Sequence, residues 1–456
     1  MTYAEAIEWL LSFADFERSG RFQDRPDVAP MRALLERLGN PHLGRATVHI
    51  AGSKGKGSVA AMVESVLRAA GARTGLYTSP HLYEYTERIA VGGTPISQDE
   101  FARLATELRT AVDAIIGLLD GRELVTFDLL TALGFMAFRD AGVSAQIIEV
   151  GLGGRVDQTN VFETKEVAVI TPISFEHTTI LGDTIREIAR EKAAIITPGC
   201  TIVIAPQHYP DAVEVIREFA AEIDDQKLEK YLERQDNELA VHVANEYGWR
   251  RLSHDVYGQA IRVEGPVGAV AAKLPLLGKH QIENAATAVA AVEALAHHED
   301  KCVSKETIAD GLASVSWPCR MEVVREDPLV IVDGAHNRDS ARRLAETLVE
   351  HFAADRVLFV IGCGSDKDID GLAEELAPLA ARVLAVRSEH PRAMDPQRIV
   401  EAFGRLNVDN EIVNNVPNGV DRAAAATSDA GFTLICVAGS LFVAAEARAH
   451  VLGVRT

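Results

Sequence analysis

Residues 49–58 read His-Ile-Ala-Gly-Ser-Lys-Gly-Lys-Gly-Ser. Gly52, Gly55 and Gly57 alternate with Ser53, Lys54, Lys56 and Ser58, between a short apolar strand and a helical pattern. Glycines let backbone N–H groups converge on an anion, and the start of a helix adds partial positive charge. Lys56 can neutralise a terminal phosphate, and Ser58 carries a hydroxyl for a metal or a phosphate. The common phosphate loop keeps four residues between its first glycine and Gly-Lys. Here Gly52 and Gly55 enclose only two, and Gly57 separates Lys56 from Ser58. The run fits a shortened phosphate loop; an ordinary glycine-rich turn is the alternative.

Other polar residues stand where strand-like runs end. Ser79 follows Thr74–Thr78 and precedes Pro80, which holds the residue before it extended. It therefore sits on a turn past a strand end, where open α/β sheets bind ligands, or in a plain turn. Glu149 lies in the apolar run Gln146–Val150, ahead of a glycine-rich turn. A carboxylate in an apolar strand must be paired or metal-bound, so magnesium and a salt bridge are the two readings. His177 follows Val167–Thr171, and Lys192 lies on the helical pattern Asp183–Ala194 behind it. Asp333-Gly334-Ala335-His336-Asn337 repeats the design after Leu329–Val332. Asp333 suits a ribose hydroxyl and His336 a phosphate, unless Asp333 or Asn337 merely caps the following helix. Arg320, within Trp317-Pro318-Cys319-Arg320, can reach a phosphate or lie on the surface.

The elements that must hold these residues alternate between strand and helix. Strands are predicted at Ala46–Ile50, Gln146–Val150, Val167–Thr171, Thr201–Ala205, Leu329–Val332, Val357–Ile361, Val383–Val386 and Thr433–Val437. Several are Val/Ile-rich without polar alternation, as parallel strands covered on both faces require. The fold class is therefore α/β with parallel sheets. After Val59 the apolar positions recur at helical spacing to Ala70, and Gly71 ends the helix. Residues Gln226–Lys273 break the rhythm and read as an antiparallel β insertion. Lys279–His297 is alanine-rich and helical, and Ser304–Ser314 starts another helix. A boundary near residue 300 divides the chain into domains 1–300 and 301–456.

Composition narrows the class. The chain has 456 residues, 47% hydrophobic and 25% charged, ample for two or three cores. A net charge of −20 disfavours nucleic acid as a partner and means that an anionic substrate needs a locally positive cleft. Five scattered cysteines lack metal-ligand spacing and fit reduced thiols in the cytoplasm. No secretory leader or membrane-length apolar run is expected. No Ser/His/Asp elbow, Cys-x-x-Cys or His-Glu-x-x-His pattern occurs.

Taken in order, these motifs resemble the folylpolyglutamate synthase/dihydrofolate synthase family, a branch of the Mur-ligase-like ATP-dependent amide-forming enzymes. The resemblance rests on His49–Ser58, Thr78–Leu82, Glu149–Asn160, His177–Lys192, Leu276–Ala285, Trp317–Glu322, Asp333–Asn337 and Asp366–Asp368. It runs from about residue 4 to about 448. It implies a phosphate-loop ATPase domain with a small β insertion and a smaller Rossmann-like C-terminal domain. It implies that Gly52–Ser58 binds ATP phosphates and that Ser79 and Glu149 hold one magnesium. Glu149 or its neighbourhood and His177 serve a second magnesium, with Lys192 carbamylated into a metal-binding anion. Asn284 meets the adenine, and Arg320, Asp333 and His336 reach the nucleotide from the second domain. The loop around Phe22–Pro30 and the turn Gly153–Asp157 form the pteridine side.

The implied reaction joins L-glutamate to dihydropteroate or a reduced folate, with ATP and magnesium, in a cytoplasmic monomer that uses neither nucleic acid nor membrane. Many relatives carry Asn at the position of Lys54, Gly at Cys319, Asp at Glu176 and Gly at Ala194. Two other readings are a Mur-type ligase for a different carboxylate and a phosphate-loop nucleotide-binding protein that is not a ligase. The position of the loop, by residue 52, argues against the first. Its departure from the common spacing argues against the second.

Overall fold

The apolar runs expected as parallel strands are buried along their lengths in the computed structural model, which describes residues 1–19, 27–231, 241–243, 247–266, 268–299, 302–430, 432 and 434–454. Eight strands form the first sheet: β1 Ala46–Ala51, β2 Thr74–Tyr77, β3 Ile89–Val91, β4 Thr94–Pro95, β5 Ala145–Glu149, β6 Val167–Ile170, β7 Thr201–Ile204 and β8 Val241–Val243. Their order is β4-β3-β2-β5-β1-β6-β7-β8. From β2 across to β8 every pairing is parallel, and β3 and β4 add an antiparallel edge.

Parallel neighbours need crossover helices, which cover both faces. Successive residues Ile147 and Ile148 accordingly enter different cores. One core receives the helices Lys56–Ala69 and Lys279–His298; the other receives Gln98–Ile115 and Thr126–Asp140. Gln98–Ile115 was not anticipated, although Ser97 and Glu100 supply a readable start: the Ser97 hydroxyl accepts the Glu100 N–H.

The predicted insertion is narrower than Gln226–Lys273. Residues up to Tyr231 continue the helix Pro210–Tyr231, and β8 joins the main sheet. Among the described residues only β9 Gly248–Asp255, β10 Gly258–Gly265 and β11 Gly268–Leu274 form the antiparallel sheet. It packs Ile261, Val263 and Val270 against the core of the alanine-rich helix.

A third sheet holds β12 Glu322–Glu326, β13 Leu329–Val332, β14 Val357–Ile361, β15 Ala380–Ala385, β16 Asn410–Ile412 and β17 Leu434–Ala438, in the order β12-β13-β17-β14-β15-β16. All neighbours are parallel except β12 with β13.

The helix Lys305–Ala313 crosses Lys56–Ala69 at closest approach at Gly311. A Cβ there would land on the Cα of Val66, and the Ser65 hydroxyl donates to the Gly311 carbonyl at 2.7 Å. Gly311→Ala forces the two backbones apart. It is expected to cost about 1–3 kcal/mol, read as a lower urea midpoint with an unchanged slope.

Candidate active site

The C-terminal ends of β1, β2, β5 and β6 open on a cleft of about 590 Å³, and β13, β14 and β17 open on it from the other sheet. That volume suits a small-molecule ligand. Of the residues singled out in the sequence, Ser53, Lys54, Gly55, Lys56, Gly57, Ser58, Ser79, Glu149, His177, Lys192, Asn284, Arg320, Asp333 and His336 all line it. Gly52 does not; its carbonyl oxygen accepts Lys56 Nζ at 3.1 Å and Lys192 Nζ at 2.9 Å. Among the described residues nine cationic and eight acidic side chains line the cleft, so it escapes the acidity of a chain with net charge −20.

The glycine-rich run begins its helix at Lys56, and no side chain caps the N-terminus. The first-turn N–H groups are thus left for a ligand. Gly55 takes φ +85°, and a Cβ would come within 2.5 Å of Asn284 Oδ1. At Gly57 a Cβ would meet the Trp317 ring at 2.7 Å. The N–H groups of Ser53 and Lys54 do not join the convergence expected of them, because both donate to Pro172 O, at 3.0 and 3.1 Å. They fasten the loop to the segment that carries Glu176 and His177.

Glu176 organises the charges. Its carboxylate bridges Lys192 at 3.0 Å and Lys54 at 3.1 Å. Burial alone would push this carboxyl up, but Lys192, Lys54 and Lys56 together hold it well below 4.5. Burial brings Lys192 down to about 8 despite Glu176, since Lys56 and Lys54 repel its charge. His177 is brought to about 4, chiefly by burial, and is neutral at pH 7. Glu149 is buried; burial raises it against the pull of Lys56, and its Oε2 accepts the Ser79 N–H at 3.2 Å. Among the described residues no three His, Cys, Asp or Glu side chains gather to hold a metal. The oxygen donors of Ser58, Ser79 and Glu149 suit a hard cation that takes its remaining ligands from phosphate and water.

On the opposite wall Asp333 clasps the Arg320 segment: Oδ2 accepts Met321 N–H at 2.9 Å and Oδ1 accepts Ala335 N–H at 2.8 Å. Helix capping falls to Asn337, whose Oδ1 accepts the Ser340 N–H at 3.0 Å. Cys319 adopts φ +59°, a glycine-favouring conformation. It is held by its N–H donating to Glu322 at 2.8 Å. Arg448 donates to the same Glu322 at 2.9 Å and to the Tyr83 hydroxyl at 3.4 Å, linking this segment to the Ser79 turn. His336 Nδ1 lies 2.9 Å from Gly334 O, so Nδ1 carries the proton and Nε2 is the free acceptor.

Sequence reading missed several lining residues. Arg88 is buried and paired with Glu17 at 2.6 Å, and its Nε donates to His81 at 3.0 Å. Gln158 is buried in the lining, and its Nε2 has no hydrogen-bond partner. Only its place in the Asp-Gln-Thr-Asn run signals it. Of the expected loop Phe22–Pro30, residues 22–26 lie outside the described residues.

The stabilisation from Glu176 is full above its unfolded value, 4.5, and is lost as pH falls through the lower folded value. Glu176→Gln leaves Lys192 and Lys54 without their counter-charge. It should destabilise the fold at pH 7 by about 3–5 kcal/mol, with the deficit against wild type shrinking toward pH 3 in denaturant titrations.

The family model "Mur ligase middle domain" matches residues 50–292, and "Mur ligase, glutamate ligase domain" matches 319–441. The "Dihydrofolate synthase/folylpolyglutamate synthase" of Mycobacterium tuberculosis is 34% identical over 93% of this chain and 89% of its own. The "Folylpolyglutamate synthase" of Lacticaseibacillus casei is 32% identical over 99% of both. The chain spans about half the length of the 36%-identical "Probable bifunctional folylpolyglutamate synthase/dihydropteroate synthase" of Haloferax volcanii, 98% of the chain against 50% of that protein. A crystal structure of the Mycobacterium tuberculosis folylpolyglutamate synthase complexed with ADP and AMPPCP superposes with TM-score 0.86 at 33% identity, covering 98% of this chain and 99% of that one. An "FPGS-AMPPCP-folate complex" superposes at 0.80 and 27% identity, over 98% and 99%. The chain therefore belongs to the Mur ligase family, in its folylpolyglutamate synthase/dihydrofolate synthase branch.

Proposed function

We propose that this chain is a cytoplasmic, ATP-dependent ligase that joins L-glutamate to the carboxylate of dihydropteroate or a reduced folate through an acyl phosphate. The observation that carries the reading is the single cleft in which an uncapped helix start, Lys56, buried Glu149 and Arg320 converge. The relatives' names and the complexes with ADP, AMPPCP and folate support the choice of substrates.

A carboxylate is a poor electrophile, and phosphorylation gives it a leaving group. Two anions must first approach each other. Lys56 and the N–H groups at the helix start hold the terminal phosphate and offset the repulsion. Arg320 approaches from the opposite wall, and Asn284, beside Gly55, receives the base. Ser79 and Glu149 would hold one magnesium, which when bound supplies charge neutralisation across the phosphates. His336, neutral with its Nε2 lone pair free, suits an N–H or O–H donor such as the attacking amine better than the phosphate oxygen first expected. Phe127 and the buried carboxylate Asp157 flank Gly151 on the far side of the cleft and suit a flat ring with N–H donors.

An amine that titrates near 8 is partly neutral at pH 7.5, as reaction with CO₂ requires. Carbamylation of Lys192 would replace its ion pair with an anionic oxygen donor, and together with His177 it would hold a second magnesium, which would supply further charge neutralisation. The division expected at residue 300 falls inside the first body, because Ile308, Leu312 and Val315 pack into the core of the first sheet. The chain up to Val315 and the part from Cys319 onward act as two domains of a monomer, and their closure completes the nucleotide site.

Lys56→Ala should lower kcat by at least about 10²–10³ with the native secondary structure retained by circular dichroism. Lys192→Ala should lose activity that added short carboxylates partly restore; failure of rescue removes the carbamate. ADP release with ATP, magnesium and glutamate should require an acceptor. Turnover with dihydropteroate and with tetrahydrofolate makes the enzyme bifunctional, with one assigns a single activity, and with neither refutes the folate assignment.

A further inference from the structure

Behind the cleft, four buried side chains form an unbroken polar chain. Lys165 Nζ lies 2.9 Å from His49 Nδ1, and His49 Nε2 lies 2.9 Å from Thr159 Oγ1. Thr159 Oγ1 in turn donates to Asp157 Oδ1 at 2.5 Å. Lys165, His49 and Thr159 do not line the cleft; Asp157 does. The first three residues come from separate segments: the approach to β6, the middle of β1, and the turn after β5.

The direction of every hydrogen follows from valence. Burial raises Asp157, and Thr159 N–H at 3.0 Å on Oδ1 and Leu152 N–H at 2.8 Å on Oδ2 oppose that rise by favouring the ionised acceptor. The single hydroxyl hydrogen of Thr159 is spent on Asp157, so its oxygen must accept from His49 Nε2–H. Burial and Lys165 keep His49 neutral, with one N–H. Nδ1 is then the acceptor for Lys165, which burial brings to about 7 and which donates in either protonation state. Each donor is aimed at the carboxylate, and buried networks of this kind fix orientation. A lysine sealed against Phe162, 5.4 Å from its ring centroid, would otherwise be an uncompensated cost.

We propose that Lys165, His49 and Thr159 are positioning residues that hold Asp157 as an oriented carboxylate, whose remaining Oδ2 lone pair accepts a ring N–H of the acyl acceptor. The inference rests on the reading of this cleft as a pteroate or folate site.

The test uses the full chain with dihydropteroate or tetrahydrofolate, whichever it turns over. Thr159→Val keeps the shape and removes both hydrogen bonds. It should raise KM for the acceptor about tenfold, the worth of a hydrogen bond to a charged group, with KM for ATP unchanged. Thr159→Ser should restore it, and Thr159→Val should add nothing in an Asp157→Asn background, the mark of one coupled unit. If Asp157→Asn itself leaves the acceptor KM unchanged, the ring-contact reading falls and the proposal with it. If Asp157→Asn raises KM while Thr159→Val does not, the relay alone is overturned. Nitrogen-15 NMR of the wild-type chain gives an independent check: His49 should be the Nε2–H tautomer, and an Nδ1–H ring refutes the chain.

Discussion

Three lysines brought into one cleft repel one another, and a single carboxylate makes the arrangement possible. Glu176 accepts from Lys54 on the glycine-rich loop and from Lys192 on the helix Ile185–Ala193, while sitting on the turn after β6. One ion-pair network thus fixes three segments that are far apart in sequence. The Gly52 carbonyl, which accepts from Lys56 and Lys192, completes it. A buried charge set of this kind stabilises the fold only while every member is present. The cleft therefore keeps a positive anion site at the mouth of an acidic protein.

The opposite wall is built by the same means with less charge. Asp333 spends both oxygens on backbone N–H groups, so Arg320 is presented by a clasped loop. The Tyr83, Arg448 and Glu322 contacts then tie that loop to the turn bearing Ser79. The two sheets meet through polar links of defined direction, and the nucleotide-facing residues of one half are registered against those of the other.

Much of this was legible from residue order. Parallel strands announced themselves because runs such as Val167–Ile170 and Val357–Ile361 are covered on both faces and need no polar alternation. Because the sheets are parallel, the residues that follow their strands had to gather at one end, and nearly all of the expected residues line one cleft. What could not be read is what sequence distance hides. Nothing near Lys165 announces that it donates to His49, which precedes it by more than a hundred residues. Lys54 looked like one more phosphate ligand until Glu176 stood beside it. The β insertion was drawn too long because polar composition alone does not separate the end of a surface helix from a strand. The αL backbone of Cys319 was legible only as a departure from glycine.

Trp317 fills the space that a side chain at position 57 would occupy. Of the three tryptophans, Trp9 meets Phe13 edge to face and Trp249 lies under Lys279, both away from the cleft. Trp317 alone rests on the helix start of the glycine-rich loop, in the segment leading to Arg320. Its indole emission is consequently an intrinsic optical reporter of the packing at that helix start, with no label to perturb the loop that it reports.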